Sequence, residues 1–178
     1  EFIFKNDPYT FYQSPANSKE YLAHGRDPLF PPWKDTAQIN FYSREARNYL
    51  TSVLIELADL CDGVRCDMAM LPLNNIFYNT WIGVLKKYGF EKPEKEFWEE
   101  AIAQVKIIRD DFIFIAETYW DLEWQLQNLG FDFTYDKRLT DRIVSGNIRS
   151  IKDHLSAEKT YQDKSVRFLE NHDEDRAI

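Results

Sequence analysis

Residues 112–117 read Phe112-Ile113-Phe114-Ile115-Ala116-Glu117. Five apolar positions in a row, closed by a carboxylate, do not alternate as a half-solvated strand would. They read as a strand buried on both faces, as in parallel sheets covered by helices. Upstream, Val64-Arg65-Cys66-Asp67-Met68 is a second strand-like run. Downstream, Phe131-Asp132-Phe133-Thr134-Tyr135 alternates like a third, and Val166-Arg167-Phe168-Leu169 is the last, running into Glu170-Asn171-His172-Asp173.

Helical patterns fill the intervals. Ser43 is a good N-cap, and Ala46, Leu50, Val53, Leu54, Leu57 and Cys61 follow at helical spacing until Asp62-Gly63. Residues 73–109 predict two helices divided at 88–93; Pro93 opens the second, whose stripe is Phe97, Ala101, Ile102, Val105 and Ile108. Residues 121–129 and 137–165 read as helical, the latter interrupted near Ser145-Gly146-Asn147. Strands alternating with helices in this way mean right-handed βαβ units and a parallel sheet. Residues 1–42 differ: Pro8, Pro15, Pro28, Pro31 and Pro32 forbid long helices, and the segment reads as an irregular, aromatic-studded excursion that needs a neighbour to pack against.

Composition narrows the function classes. The 178 residues carry 22 Lys+Arg against 30 Asp+Glu, a formal charge of −8. That balance argues against a nucleic-acid grip, which needs clustered cations to displace counterions. The 44% of apolar residues can build a core. No apolar run approaches the roughly 18 residues of a membrane span. Cys61 and Cys66 are too close for a disulfide framework and have no His or Cys pair nearby to suggest zinc; they read as reduced packing cysteines, and with them a cytoplasmic setting. His24 and His154 read as surface residues. The abrupt start, Glu1–Asn6 (EFIFKN), without a Met, predicts a piece of a longer protein.

Position makes the charges informative. Three predicted strands end in a carboxylate: Asp67, Glu117 and Asp173. In closed parallel barrels the C-terminal edge of the strands is where chemistry is built. Strand alternation places Arg65 and Asp67 on one face, with Val64, Cys66 and Met68 on the other. The competing reading is that such carboxylates cap the next helix. Tyr119, Trp120 and Trp124 offer aromatic faces, with Trp124 the one best suited to the core.

The local words around these carboxylates resemble the conserved regions of the α-amylase family, glycoside hydrolase family 13. Gly63-x-Arg65-x-Asp67 is similar to the nucleophile region, Glu117-x-x-Trp120 to the acid/base region, and Phe168-x-x-Asn171-His172-Asp173 to the third-carboxylate region, in the family's order. Thr36-Ala37-Gln38-Ile39-Asn40 is a weaker match to a signature near the end of the insertion between barrel strands three and four.

The resemblance implies an α/β fold, a fragment of a (β/α)8 TIM barrel with parallel strands, in which residues 1–42 end the domain-B-like insertion and 43–178 are the central β/α units. It implies a retaining enzyme on α-linked oligo- or polysaccharides: Asp67 attacks the anomeric carbon, and Glu117 protonates the departing oxygen. Asp173 and His172 grip the reacting sugar, Arg65 holds Asp67 charged, and Tyr119 and Trp120 offer binding surface. Ile115, Trp120 and the charge of Asp67 would raise the pKa of Glu117. No cofactor follows from the motifs, and calcium stays open because its usual ligands would lie partly in barrel regions not among these residues.

Two departures limit the transfer. The family often places Lys and His three and four positions after the nucleophile; here stand Met70 and Leu71. The insertion signature usually has Asp where Gln38 stands. The family barrel has eight strands, and only those matching its fourth to seventh are recognisable. A fragment of this kind should need the missing strands of its parent chain, or associate with itself. Hydrolase and glycosyltransferase differ only in the acceptor, and a non-catalytic glycan-binding remnant and an unrelated α/β domain are the other readings.

Overall fold

The computed structural model describes residues 4, 6–174 and 176. The chain divides into two compact units, Glu1–Tyr49 with Asn74–Glu94, and Leu50–Leu73 with Lys95–Ile178.

In the first unit, strands β1 (Phe11–Gln13) and β2 (Tyr21–Ala23) pair antiparallel, Phe11 opposite Ala23 and Gln13 opposite Tyr21. The expectation of a wholly irregular segment is thus corrected. The aromatic residues of 9–13 and 21–23 are strand formers, and Pro15 falls in the connection, where no ladder bond is lost. Asn17 shapes that connection, its Oδ1 accepting from the Lys19 N–H at 3.1 Å. Within the same unit lies helix α2 (Asn74–Tyr88). Its Phe77, Trp81 and Leu85 form a core with Phe11 and Tyr42. Tyr42 donates its buried hydroxyl to the Asn74 carbonyl at 2.8 Å. Trp33 and Gly25 form an isolated antiparallel bridge, and Gln38 N–H bonds the Ala23 carbonyl at 2.8 Å, so the 36–40 signature is stitched to the hairpin.

Helix α1 (Arg44–Ala58) begins as the cap chemistry requires, with Ser43 Oγ accepting from the Ala46 N–H at 3.3 Å. Its buried positions are Arg47, Thr51 and Ala58, while Leu50, Val53, Leu54 and Leu57 are only half-buried.

The second unit is a four-stranded sheet in the order β3 (Gly63–Cys66), β4 (Ile113–Ala116), β5 (Phe133–Tyr135), β6 (Ser165–Val166), every pair parallel. Sequential strands lie side by side, with helices α3 (Phe97–Ile108), α4 (Glu123–Asn128), and the group α5 (Lys137–Val144), α6 (Ile148–Leu155) and α7 (Lys159–Asp163) in the crossovers. The last strand is shorter than Val166–Leu169; Phe168 instead gives its carbonyl to the Thr140 hydroxyl at 2.7 Å and so leaves the ladder. Helix α3 starts four residues after Pro93, and Ile108, expected in its buried stripe, is exposed.

The register sorts the side chains. Phe112, Phe114 and Ala116 are fully buried, together with Phe97, Ala101, Ile102 and Val105 of α3 and with Phe131. Trp98 fixes the chain beyond β3 by donating its indole N–H to the Ala69 carbonyl at 2.6 Å. The opposite face carries Gly63, Arg65, Ile113, Ile115, Phe133 and Tyr135. It is less covered: Ile113 is 39% exposed and Ile115 half-buried, so β4 is buried on one face rather than both.

Candidate active site

Strand β3 delivers Arg65, and the next turn delivers Asp67. The two are joined by a salt bridge from Arg65 Nη1 to Asp67 Oδ1, with the Asp67 side chain 75% exposed. Strands β3 and β4 end together at the pair Cys66 and Ala116, so Glu117 follows off the end of the ladder as Asp67 does, its N–H bonded to the Cys66 carbonyl at 3.0 Å. The Glu117 residue is 3% exposed. Arg65 Nη2 lies 2.8 Å from its Oε1, an ion pair not aligned as a hydrogen bond. One guanidinium thus serves both carboxylates.

Glu117 also accepts from the Met68 N–H at Oε2 (2.6 Å) and from the Tyr119 hydroxyl at Oε1 (3.0 Å). The apolar setting expected for it is thus corrected: the side chain is buried among donors. Burial, and next the charge of Glu117, raise the Tyr119 pKa, so its hydroxyl stays protonated and able to donate. Burial opposes the charge of Arg65, but the bonds to Tyr135 and Asp67 and the charge of Glu117 outweigh it.

Backbone strain marks the same place. Among the described residues, the non-glycine positions with positive φ are Met68 (φ 44°), Trp120 (φ 62°) and Asp121 (φ 64°). Met68 follows Asp67 directly, and Trp120 and Asp121 lie in the loop that follows Glu117. Each such residue costs on the order of 1–3 kcal/mol, and the cost clusters at functional sites. At Met68 its use is visible, because the turned backbone aims the N–H at Glu117.

Tyr135, at the end of β5, was not legible as a site residue. Its hydroxyl accepts from Arg65 Nε at 3.3 Å, and its ring lies 5.6 Å from the guanidinium carbon. The available signal was its place as the last residue of an alternating strand, on the face that carries Arg65. Trp120 is half-buried beside Asp121, which Arg138 grips by a salt bridge. Asp173 and His172 are exposed and pair with each other, Nε2 to Oδ2 at 3.1 Å. The charge of Asp173 is felt at Tyr119, which it helps to keep protonated.

A fourth strand-end carboxylate, Asp136, shows what the capping alternative looks like. It is buried and accepts from the Leu139 N–H at 3.2 Å, capping α5. It also holds His154 Nε2 at 2.8 Å. His154 is buried, so the surface reading of that residue is corrected. Asp67 and Glu117 make no such cap. No group of three or more His, Cys, Asp and Glu side chains placed to hold a metal occurs among the described residues. No helix among them is long and apolar enough to cross a membrane.

No protein-family model and no curated protein sequence matches the chain. Solved structures do. An α-amylase from Lactobacillus plantarum superposes with a TM-score of 0.58 at 22% identity, over 98% of this chain and 40% of that one. The chain has the fold of part of an α-amylase-type barrel. A debranching enzyme from Nostoc punctiforme (TM-score 0.55, 17% identity) is matched over 96% of this chain and 38% of its own. A cyclic α-maltosyl-(1→6)-maltose hydrolase from Arthrobacter globiformis (TM-score 0.53, 21% identity) is matched over 79% and 28%. The chain spans 28–40% of the length of these structures.

Proposed function

We propose that the chain is the catalytic centre of a retaining glycosidase acting on α-linked glucans, with residues 1–42 as the end of an insertion and 43–178 as central β/α units of its barrel. The observation that carries the reading is the single guanidinium of Arg65 set between Asp67 and Glu117 at the C-terminal ends of neighbouring parallel strands. The names of the structural neighbours, an α-amylase and a maltosyl-maltose hydrolase among them, support the substrate class.

The arrangement suits a double displacement. Exposed Asp67 attacks the anomeric carbon from one side while Glu117, carrying a proton, gives it to the leaving oxygen. The C–O bond breaks, an ester to Asp67 forms, and the negative charge passes from Asp67 to Glu117. Arg65 touches both groups, so the charge never leaves its cation. In the second step Glu117 takes a proton from water, the water oxygen attacks the anomeric carbon, and Asp67 is released. Carboxyls about 5–5.5 Å apart fit this course. Asp173 and His172 bind sugar hydroxyls as charge develops, with value only where the contact tightens in the transition state. Tyr119 positions Glu117, and Trp120 presents a ring to the substrate.

Met70 and Leu71 have uncharged side chains, so neither offers a cation to the leaving side of the sugar. This favours a specificity other than that of enzymes with Lys and His there.

The test is turnover of a nitrophenyl α-glucoside by the protein that carries this chain. Asp67→Asn and Glu117→Gln should each lower kcat by on the order of 10²–10⁴ or more. An Asp67→Asn protein that kept full turnover would remove the nucleophile assignment.

A further inference from the structure

A cavity of about 620 Å³ opens in the parallel-sheet unit between the start of α4 and helices α5 to α7. It shares no residue with the Arg65, Asp67, Glu117 and Tyr135 group. Its volume lies within the range of about 300–1,000 Å³ typical of small-ligand sites. One wall is aromatic: Trp124, 47% exposed and so not the core residue its spacing suggests, and Tyr161, with ring centroids 6.4 Å apart. The other wall is cationic, from Arg138 and Arg142. Buried Glu123 and His154 line it as well.

The lining discriminates between ligand classes. An inorganic anion meets Asp153 and Glu158 beside Arg142, while Arg138 is already paired with Asp121. A cation meets the guanidinium groups of Arg138 and Arg142 among those carboxylates, so a charge of neither sign finds a matching lining. A wholly apolar ligand would leave the carboxyl and guanidinium groups desolvated without partners. What fits is a neutral molecule with a flat apolar face for Trp124 and Tyr161 and several hydroxyls for Glu123 and the arginines. Burial first, with the charges of Asp121 and Asp136, raises the Glu123 pKa.

We propose that this cavity is a second glycosyl-binding site, separate from the candidate active site, with Trp124 as its stacking platform and Glu123 as its hydrogen-bonding base. The choice of an α-glucan as probe rests on the function proposed above; the sugar class itself rests on the cavity.

The test is an NMR titration of the ¹⁵N-labelled protein that carries this chain, reading the indole N–H signals of Trp120 and Trp124, the former assigned from Trp120→Phe. Maltoheptaose is the probe, and cellohexaose its β-linked counterpart. The Trp124 signal, assigned from Trp124→Phe, should shift saturably with one of the two. Glu123→Gln should keep the shift, and Glu123→Leu should raise the concentration for half-saturation about tenfold, as loss of one good hydrogen bond implies. A Trp124 signal unmoved by either sugar, in a chain whose spectrum is that of a folded protein, overturns the proposal. If Trp120 shifts and Trp124 does not, the second site alone fails. If Trp124 shifts and Trp120 does not, the second site stands and the active-site reading fails.

Discussion

Arg65 on β3 reaches across to Glu117 at the end of β4, Nη2 to Oε1 at 2.8 Å, while its Nη1 holds Asp67. Glu117 is buried and Arg65 is half-covered, so the pair is poorly screened. Removing the cation leaves a buried carboxylate with two neutral donors and no counter-charge. Arg65→Ala should therefore cost about 3 kcal/mol in urea unfolding. Arg65→Ala combined with Glu117→Gln should recover much of that loss, because the charge to be compensated is gone. Equal destabilisation by the single and double variants would show that Arg65 acts through packing and not through Glu117.

Gly63 faces Ile113 across the first rung of the β3–β4 ladder. A Cβ on residue 63 would sit 2.5 Å from the Ile113 carbonyl oxygen and 2.9 Å from its Cβ. Backbone cannot swing aside as a flexible side chain can. Gly63→Ala should pry the strands apart at that rung and cost about 1–3 kcal/mol. Amide exchange of Ile113, whose N–H bonds the Asp62 carbonyl at 2.9 Å, should speed up with it. An unchanged unfolding midpoint would contradict the register. The glycine of the Gly63-x-Arg65-x-Asp67 motif thus has a packing reason two residues from the chemistry.

The strands were legible where their signal is local. The apolar run 112–116 and the alternation of 131–135 each name a strand without outside help, and strand parity alone put Arg65 beside Asp67. What depends on register across strands was not legible. Tyr135 meets Arg65 only because β4 sits between β3 and β5 in this alignment. His154 lies among charged helical residues and looks exposed until Asp136, eighteen positions earlier, is found holding it. The β1–β2 hairpin was hidden by prolines that fall outside its short strands. Trp124 escaped the core because α4 is only six residues long and leaves its ring at the rim of a cavity.

Cys66 faces the buried side of β3, and burial, opposed by Arg65, pushes its thiol up to about 12. It should be inert to a thiol-disulfide reagent at pH 8, since the thiolate is the reactive form. Half-buried Cys61 is the accessible thiol of the two. A Cys61→Ser chain should therefore titrate no thiol when native and one after denaturation. Fast reaction of native Cys61→Ser would mean that β3 opens on the time scale of the assay.

Glu123 gives the fold a pH dependence of definite sign. Its carboxyl is buried, and burial first, then Asp121 and Asp136, lift its pKa above the ordinary 4.5, with a hydrogen bond from its own backbone N–H and then Arg138 pulling the other way. The unfolded chain lacks that environment. As pH rises from the unfolded pKa through the folded one, the unfolded chain loses its proton first, so the native state binds more protons and stability falls. Below about pH 4.5 both states are protonated and the penalty vanishes. Glu123→Gln keeps the shape and removes the titration. It should be as stable as the parent near pH 4 and more stable at pH 7, measured by urea unfolding at the two values. A Glu123→Gln chain less stable than the parent at pH 7 would mean that the ionised carboxylate is held by a favourable charge, and that Arg138 outweighs burial at the floor of this cavity.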